Sequence, residues 1–266
     1  GLNVVLNLHK AVGNYCDIEE KVQLLDNDEL QNRFIALWEK LEDYFSERKS
    51  VAFELLNEVR NVDPEKWNVL AEKTVTALRR KNKTRKIIIG STCWNSVNTL
   101  DKLKVFDDEN VIYTFHTYEP FSFTHQQGVL QAPTLYYNRK MPYPGDIEIY
   151  RDYQKVVSGN ESAYKNYTVM DRKYIFDSLK PATDFIKQNP DKILWCGEFG
   201  TIRHCKTEWR ENWMRDVIAF LKLNGIPYCV WNYLSTPNDG NRFSLVDDDT
   251  RKILSSKLAE IIKGNV

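Results

Sequence analysis

Two glutamates in this chain lie where a short apolar run ends in polar residues. Glu58 follows Asn57 at the end of the run 51–56, and Glu198 follows the run 193–196 within the tetrapeptide Gly-Glu-Phe-Gly. One carboxyl group can protonate a leaving oxygen while a second attacks the carbon which that oxygen leaves, and this pair of roles is the chemistry of retaining glycosidases. Because it needs one protonated and one ionised carboxyl, the environments of the two glutamates must differ.

Other polar and aromatic side chains follow the remaining apolar runs in the same way. They are His9, Trp94, Asn95, His116, Tyr118, Trp231 and Asn232. In a parallel (β/α) barrel the carboxyl ends of the strands form one face, and that face holds the active site. A lone glutamate or histidine at a strand end is ordinarily a solvated or packed residue. The co-occurrence of all these residues instead predicts one site.

The elements that carry these residues alternate between strand and helix along the chain. Apolar runs predict six strands, at 3–9, 51–56, 86–90, 111–115, 193–196 and 228–231. Helical periodicity and capping signals predict helices near 30–41, 64–80, 172–188, 207–224 and 250–263. This alternation favours a parallel sheet with right-handed crossovers. The absence of a G-x-G-x-x-G or G-x-x-x-x-G-K motif disfavours a doubly wound nucleotide-binding fold and favours a barrel.

Two further features of the sequence lead to structural expectations. The connection from Glu119 to Asp171 is too long for an ordinary loop and is rich in tyrosine and phenylalanine, so we expect it to form a binding wall. Glu54 lies four residues before Glu58, on the same side of the strand. Because an unpaired buried carboxylate is costly, we expect Glu54 to have a basic partner and a structural role.

Composition limits the kinds of partner. The chain has 37 basic and 37 acidic residues, so no field of one sign attracts nucleic acid or an anionic membrane, and neither is expected as a partner. Aromatic residues make up 12% of the chain, which suits stacking on sugar rings. The five cysteines, including Cys16, show no C-x-x-C pair, so we expect no zinc site. We also expect no other metal and no cofactor. The sequence has no apolar run of membrane-spanning length, and we expect no signal peptide within it.

Four segments resemble the signature segments of glycoside hydrolase family 5, in that family's order. They are Phe53-Glu-Leu-Leu-Asn-Glu58, His116-Thr-Tyr118, Trp195-Cys-Gly-Glu-Phe-Gly200 and Val230-Trp-Asn232. The resemblance implies an α/β fold, a TIM (β/α)8 barrel, with this chain covering strands 3 to 8 and a long loop after strand 6. It implies a single catalytic domain over residues 1–266 that is N-terminally incomplete, because the family has two earlier strands, one with an arginine that supports the nucleophile. Six strands do not close such a barrel, so we expect the chain to be a fragment, a proteolytic piece, or one partner of an assembly in which a second chain or fragment completes the barrel.

The same resemblance implies roles for individual residues. Glu58 takes the acid/base position and Glu198 the nucleophile position, with Asn57 bonded to the sugar 2-hydroxyl. Tyr118 donates to Glu198, and His116 orients the acid/base side.

The remaining residues are expected to bind substrate. His9 contacts the sugar next to the cleaved bond, Trp231 floors that subsite, and Trp94 and Asn95 line the cleft. A cis peptide bond is expected after Trp231, as the family often has one there.

The implied activity is hydrolysis of a β-linked oligo- or polysaccharide, in the manner of an endo-β-1,4-glucanase, by a secreted or cell-surface protein. Mannan, xyloglucan or β-1,3-glucan would use the same machinery, and Lys10, which replaces a histidine of many relatives, leaves the substrate preference open. A glycan-binding protein that has lost turnover is an alternative from another class. A barrel enzyme acting on phosphorylated metabolites would need a glycine-rich phosphate loop, which the sequence does not offer.

Overall fold

The structure is a computed structural model that describes residues 1–15, 21–236 and 240–264. Cys16 therefore lies outside the described residues. The chain forms two compact units. The first unit contains Gly1–His116 and Pro181–Trp195, and the second contains Thr117–Lys180 and Cys196–Val266.

The strands and helices alternate as the sequence predicts. The strands are β1 (Val4–Asn7), β2 (Val51–Glu54), β3 (Ile87–Gly90), β4 (Val111–Thr117), β5 (Gly145–Asp146), β6 (Val169–Met170) and β7 (Ile193–Phe199). The helices are α1 (Asp28–Phe45), α2 (Pro64–Lys81), α3 (Thr92–Asn95), α4 (Phe121–Thr124), α5 (Ala132–Tyr137), α6 (Ile147–Ser158), α7 (Arg172–Ser178), α8 (Lys180–Gln188), α9 (Thr207–Leu223) and α10 (Ser256–Lys263). Short 3-10 helices span Leu24–Asp26 and Val97–Lys102.

The main sheet has the spatial order β1-β2-β3-β4-β7. Strand β1 pairs with β2, β2 with β3 and β3 with β4, each in parallel. Strand β3 is buried along its whole length, as expected for a parallel strand covered on both faces. The carboxyl ends of β1 to β4 therefore lie along one edge of the sheet, where the polar residues follow.

Helices α1 and α2 cross over between these strands, and each inserts a fully buried tryptophan. Trp38 of α1 donates from Nε1 to the carbonyl oxygen of Leu55 at 3.1 Å. Trp67 of α2 donates likewise to Gly90, at 2.9 Å. Burying such a ring stabilises the fold by about 2–3 kcal/mol, and the satisfied indole N–H avoids the penalty of an unpaired donor. Both tryptophans thus fix the backbone at the ends of strands that carry candidate residues.

A buried ion pair joins α1 to the start of β3. The guanidinium of Arg85 donates to both carboxylate oxygens of Glu42, at 2.7 and 3.0 Å, and both side chains are 2% exposed. Arg85 also donates to the carbonyl oxygens of Phe45, Arg48 and Val51. Because every charge in this pair is hydrogen-bonded, its burial is tolerated, and the loss of either partner would leave an uncompensated charge.

The second unit has a core of aromatic side chains. Trp213 of α9, Phe199 of β7, Phe123, Tyr143 and Tyr150 are fully buried. The last three belong to the connection 119–171, so the prediction that its rings form a binding wall is wrong for them. Their burial reflects the elements α4 to α6 and the β5–β6 hairpin, which give this connection a core of its own. Tyr136, 83% exposed, does remain on the surface.

The largest differences from the predicted elements are found at three places. The helix expected over 172–188 is divided into α7 and α8, since Pro181 has no N–H to continue the ladder. The helix expected from 250 begins at Ser256, because Asp247 holds Thr250 in a side-chain turn and Ser255 caps the helix. The strand expected over 228–231 is reduced to one parallel bridge between Cys196 and Tyr228.

The structure describes four of the five cysteines. Cys93, Cys196, Cys205 and Cys229 have free thiols. Within the described ranges, no helix has both the length and the apolar character that crossing a bilayer requires.

Candidate active site

Glu58 lies just after β2 in the first unit, at a residue with left-handed backbone (φ 38°). Its Oε1 is 2.9 Å from Nδ1 of His116, the next-to-last residue of β4. The imidazole is buried, whereas the carboxyl group is partly exposed. A carboxyl held by a buried ring yet open to solvent on one side can exchange a proton with a bound molecule. The predicted contact between His116 and Glu58 is thus present.

Asn57 precedes Glu58 and is 1% exposed. Its backbone N–H donates to the carbonyl oxygen of Leu8 at 3.0 Å, which ties it to the end of β1. Neither Oδ1 nor Nδ2 of its side chain has a hydrogen-bond partner among the described residues. Since a buried amide without partners is costly, such a group is typical of a position that a ligand or water satisfies.

Glu54 ends β2 and is buried. Its Oε2 accepts a hydrogen bond of 2.7 Å from Nδ2 of Asn7, and its Oε1 has no partner among the described residues. Burial raises the pKa of Glu54, and the nearby charge of Glu58 raises it further, while His116 and the Asn7 hydrogen bond lower it. The hydrogen bond to Glu54 thus comes from a neutral amide, and the basic group that acts on Glu54 is His116, through its charge.

The other predicted residues of the first unit have different degrees of exposure. His9 is exposed, and its Nδ1 is 3.3 Å from Oδ1 of Asn7. Trp94 is 42% exposed. Asn95 is fully buried, and its Nδ2 is 3.2 Å from Nε2 of His116. Asn95 therefore contacts the histidine that holds Glu58.

In the second unit, Glu198 lies in β7 and is half-buried. The hydroxyl of Tyr118 donates to its Oε2 at 2.9 Å. A hydrogen bond to the charged form of a carboxyl group favours ionisation, which a nucleophile needs. The predicted hydrogen bond from Tyr118 to Glu198 is thus present.

The ring of Tyr118 is itself fixed by aromatic neighbours. His125 approaches it edge-on with ring centroids 5.1 Å apart, and Phe243 does so at 5.9 Å. His125 is stacked on Phe121 at 3.8 Å, and burial lowers the pKa of His125 to about 3. His125 is a site residue that the sequence analysis missed. Its spacing of four from Phe121, on one face of a helical turn, was the available signal.

Trp231 follows the chain segment that bridges to β7. The peptide bond between Trp231 and Asn232 is cis, which confirms the prediction made for this position. The N–H of Trp231 donates to the carbonyl oxygen of Phe199 at 2.9 Å. A Cβ on Gly200 would overlap the carbonyl oxygen of Trp231, so only glycine lets the two backbones approach this closely.

The predicted residues are distributed over both units. Glu58, Asn95 and His116 form one hydrogen-bonded group in the first unit, where Asn57 precedes Glu58 in the chain, and Tyr118 and Glu198 form another in the second.

Comparison with known proteins identifies the family. The family model for cellulase (glycosyl hydrolase family 5) matches residues 1–236. Endoglucanase C of Acetivibrio thermocellus is 34% identical over 267 residues, which cover 98% of this chain and 75% of the relative. A hyperthermophilic endo-β-1,4-glucanase, solved in complex with substrate, is similar with a TM-score of 0.75 and 26% identity, covering 99% of this chain and 72% of that one.

A third relative bears on substrate. Thermotoga maritima Cel5A, solved in complex with mannotriose, has a TM-score of 0.74 and 27% identity, over 98% of this chain and 72% of the other. These similarities confirm the predicted fold, an α/β fold of the (β/α)8-barrel type. The chain therefore belongs to glycosyl hydrolase family 5 and is a glycoside hydrolase.

Proposed function

We propose that this protein cleaves β-1,4-glucan chains internally and with retention of anomeric configuration. The relatives named above as endoglucanases support the substrate class. The observation that carries the mechanism is the contrast between the two glutamates. Glu198 accepts a hydrogen bond from the neutral hydroxyl of Tyr118, whereas Glu58 is coupled to an imidazole that can exchange a proton.

In the first step, Glu58 gives its proton to the glycosidic oxygen while a carboxylate oxygen of Glu198 attacks the anomeric carbon. The bond from that carbon to the leaving oxygen breaks, and a glycosyl ester on Glu198 forms. In the second step, Glu58, now ionised, takes a proton from water as the water oxygen attacks the same carbon and releases Glu198. This double displacement requires the two carboxyl groups to be about 5–5.5 Å apart.

Substrate contacts follow from the exposure and hydrogen bonding of the remaining residues. The unpartnered amide of Asn57 suits the 2-hydroxyl of the sugar at the cleaved bond, a contact that strengthens in the transition state. The exposed ring of Trp94 and the half-buried ring of Trp231 suit stacking on pyranose faces. His9, exposed after β1, suits a hydroxyl of the same sugar.

The decisive experiment is covalent trapping of the nucleophile. The protein is incubated with a 2-deoxy-2-fluoro-β-cellobiosyl inactivator, digested and analysed by mass spectrometry. We expect one label, on Glu198, and none in the Glu198→Gln variant. A label on another carboxyl group, or a product of inverted configuration detected by NMR, would contradict the assignment.

The acid/base role of Glu58 has a separate test. Glu58→Ala should lose turnover of cellooligosaccharides by more than about 100-fold, since general acid catalysis contributes at least this much. Azide should restore turnover of an aryl β-cellobioside with a good leaving group and give the β-glycosyl azide. Glu72→Ala, at an exposed ion pair on α2, is the matched control and should keep normal activity. Failure of azide to rescue the variant would assign the proton donor elsewhere.

A mannan is the second candidate substrate, because a relative has been solved with mannotriose bound. The ratio of kcat/KM for cellotetraose and mannotetraose distinguishes the two. We expect the glucan to be preferred, and a ratio below one would reverse the assignment.

A further inference from the structure

His116 lies between an amide and a carboxyl group. On one side its Nδ1 is 2.9 Å from Oε1 of Glu58, and on the other its Nε2 is 3.2 Å from Nδ2 of Asn95. All three side chains belong to the first unit, and both Asn95 and His116 are buried. Each ring nitrogen of His116 therefore contacts a protein side chain, and these contacts decide which nitrogen carries the proton.

The side chain of Asn95 packs against the backbone of Gly90. A Cβ on Gly90, the last residue of β3, would lie 2.6 Å from Nδ2 of Asn95 and closer still to its Cγ and Oδ1. Asn95 thus occupies the space that a side chain at position 90 would fill. The absence of a side chain on Gly90 leaves room for this amide.

The turn α3 directs the side chain of Asn95 into the space beside Gly90. Cys93, Trp94 and Asn95 all have left-handed backbone, with φ of 55°, 60° and 54°. Each such residue costs about 1–2 kcal/mol relative to right-handed backbone, and asparagine is among those that tolerate it best. The N–H of Cys93 donates to the carbonyl oxygen of Arg60 at 3.2 Å and that of Trp94 to the carbonyl oxygen of Val59 at 2.9 Å, so the turn is also tied to the residues that follow Glu58.

The contacts of His116 with Asn95 and Glu58 indicate which ring nitrogen carries the proton. An amide nitrogen can only donate, so Nε2 of His116 accepts, and the ring proton of neutral His116 lies on Nδ1, where it donates to Glu58. We propose that Asn95 is a positioning residue that fixes this tautomer of His116 and thereby controls the proton on Glu58. The consequence for catalysis rests on the proposed acid/base role of Glu58, whereas the tautomer itself does not.

The charged groups around His116 give the sign of the effect. Within the first unit, the titratable groups that interact with it include Glu58 and the buried Glu54. A carboxylate in place of the Asn95 amide would accept from Nε2–H and favour the doubly protonated imidazolium. That cation would stabilise the ionised form of Glu58, and the alkaline limb of the pH–rate profile would move to lower pH.

The first measurement is the tautomer of His116 by nitrogen-15 NMR of the full chain. The four histidines are distinguished by the loss of one set of signals in His116→Gln. We expect Nδ1 protonated and Nε2 unprotonated in the wild type, and protonation at Nε2 in Asn95→Asp. A wild-type proton on Nε2, or unchanged signals in the Asp variant, would overturn the proposal.

The second measurement is the pH dependence of kcat/KM. For Asn95→Asp the alkaline limb should move to lower pH by about one unit. Asn95→Gly, which tolerates the left-handed backbone, should lower kcat by about tenfold with little change in KM, because it removes one neutral hydrogen bond. Gly90→Ala should reproduce the Gly variant, since its Cβ displaces the same amide.

Asn98→Asp is the matched control, an identical change at an exposed residue three positions later. It should leave the pH profile and the histidine signals unchanged, and a shift of either would overturn the assignment to Asn95. If Asn95→Asp protonates Nε2 while the alkaline limb stays in place, the acid/base role of Glu58 is wrong although the tautomer assignment holds.

Discussion

The hydroxyl of Tyr118 donates a hydrogen bond of 2.9 Å to Oε2 of Glu198. His125 and Phe243 pack edge-on against the Tyr118 ring, and Phe121 in turn stacks on His125. The orientation of the hydroxyl is therefore set by packing rather than by the hydrogen bond alone. Removal of the hydroxyl oxygen should therefore leave the ring of Tyr118 in its place.

Tyr118→Phe keeps the ring and removes the donor to Glu198. Hydrogen bonds to charged groups contribute about 1.5–3 kcal/mol, so kcat/KM on cellooligosaccharides should fall roughly 10- to 100-fold while stability changes little. Tyr167→Phe is the control, because its hydroxyl donates to Asp177 at the surface instead. Wild-type turnover by Tyr118→Phe would show that Glu198 does not need this donor.

His125→Phe should change how stability depends on pH. In the folded protein burial lowers the pKa of His125 from 6.5 to about 3, so the unfolded chain binds a proton that the folded chain does not. Stability is therefore lost as pH falls below the unfolded value, by up to roughly 1.4 kcal/mol per pH unit, until the folded value is reached. Phenylalanine keeps the stacking and cannot titrate, so this loss should be absent.

Urea unfolding at neutral pH and at about pH 5 tests the prediction, since the wild type should lose stability across this range through His125. His204→Phe, at an exposed position, is the control and should keep the wild-type slope. Equal slopes for wild type and His125→Phe would contradict the account.

Glu54→Gln should stabilise the protein near neutral pH. Burial raises the pKa of Glu54 above its ordinary 4.5 in the folded state. Its contribution to stability is therefore present below the unfolded value and is lost as pH rises through the folded value. Glutamine keeps an oxygen for Asn7 and never ionises, so the Tm of the variant should exceed that of the wild type at neutral pH by more than it does in acid. A constant Tm difference across pH would exclude titration of Glu54 as the cause.

Gly200→Ala should destabilise the second unit at the close approach of two backbones. The added Cβ overlaps the carbonyl oxygen of Trp231, which cannot rotate away as a side chain could. We expect a loss of about 3 kcal/mol in unfolding free energy, as for an overpacked core, together with loss of activity. Gly159→Ala is the comparison without overlap: its new Cβ has no heavy atom within 4 Å, and its left-handed φ, which Gly200 does not share, leaves only a backbone penalty of about 1–2 kcal/mol. Equal losses in the two variants would refute a steric origin.

Much of the candidate site could be predicted from sequence because its residues follow strands. Periodicity places Asn57, Glu58, His116, Tyr118 and Glu198 at the ends of apolar runs, and a parallel sheet brings such ends to one edge. The cis bond at Trp231–Asn232 was predicted from the family resemblance rather than from periodicity.

The rest depends on contacts between residues distant in sequence. Nothing local to Glu54 indicates that Asn7 would be its partner, since the two are joined only by the pairing of β1 with β2. The left-handed run at 93–95 has no glycine to signal it. Tyr143 and Tyr150 looked like surface rings because their connection has weak periodicity, yet they are core residues of the second unit.

The left-handed run of Cys93, Trp94 and Asn95 also bears on how this protein would respond to laboratory evolution. At Cys93 and Trp94, glycine would relieve the conformational penalty, although it would also loosen the unfolded chain. A library screened for heat resistance alone can therefore accept changes here that a library screened for turnover rejects. We expect the two screens to select different residues in this turn before they do so elsewhere. The sequence of the turn would then show whether heat resistance or turnover had been selected.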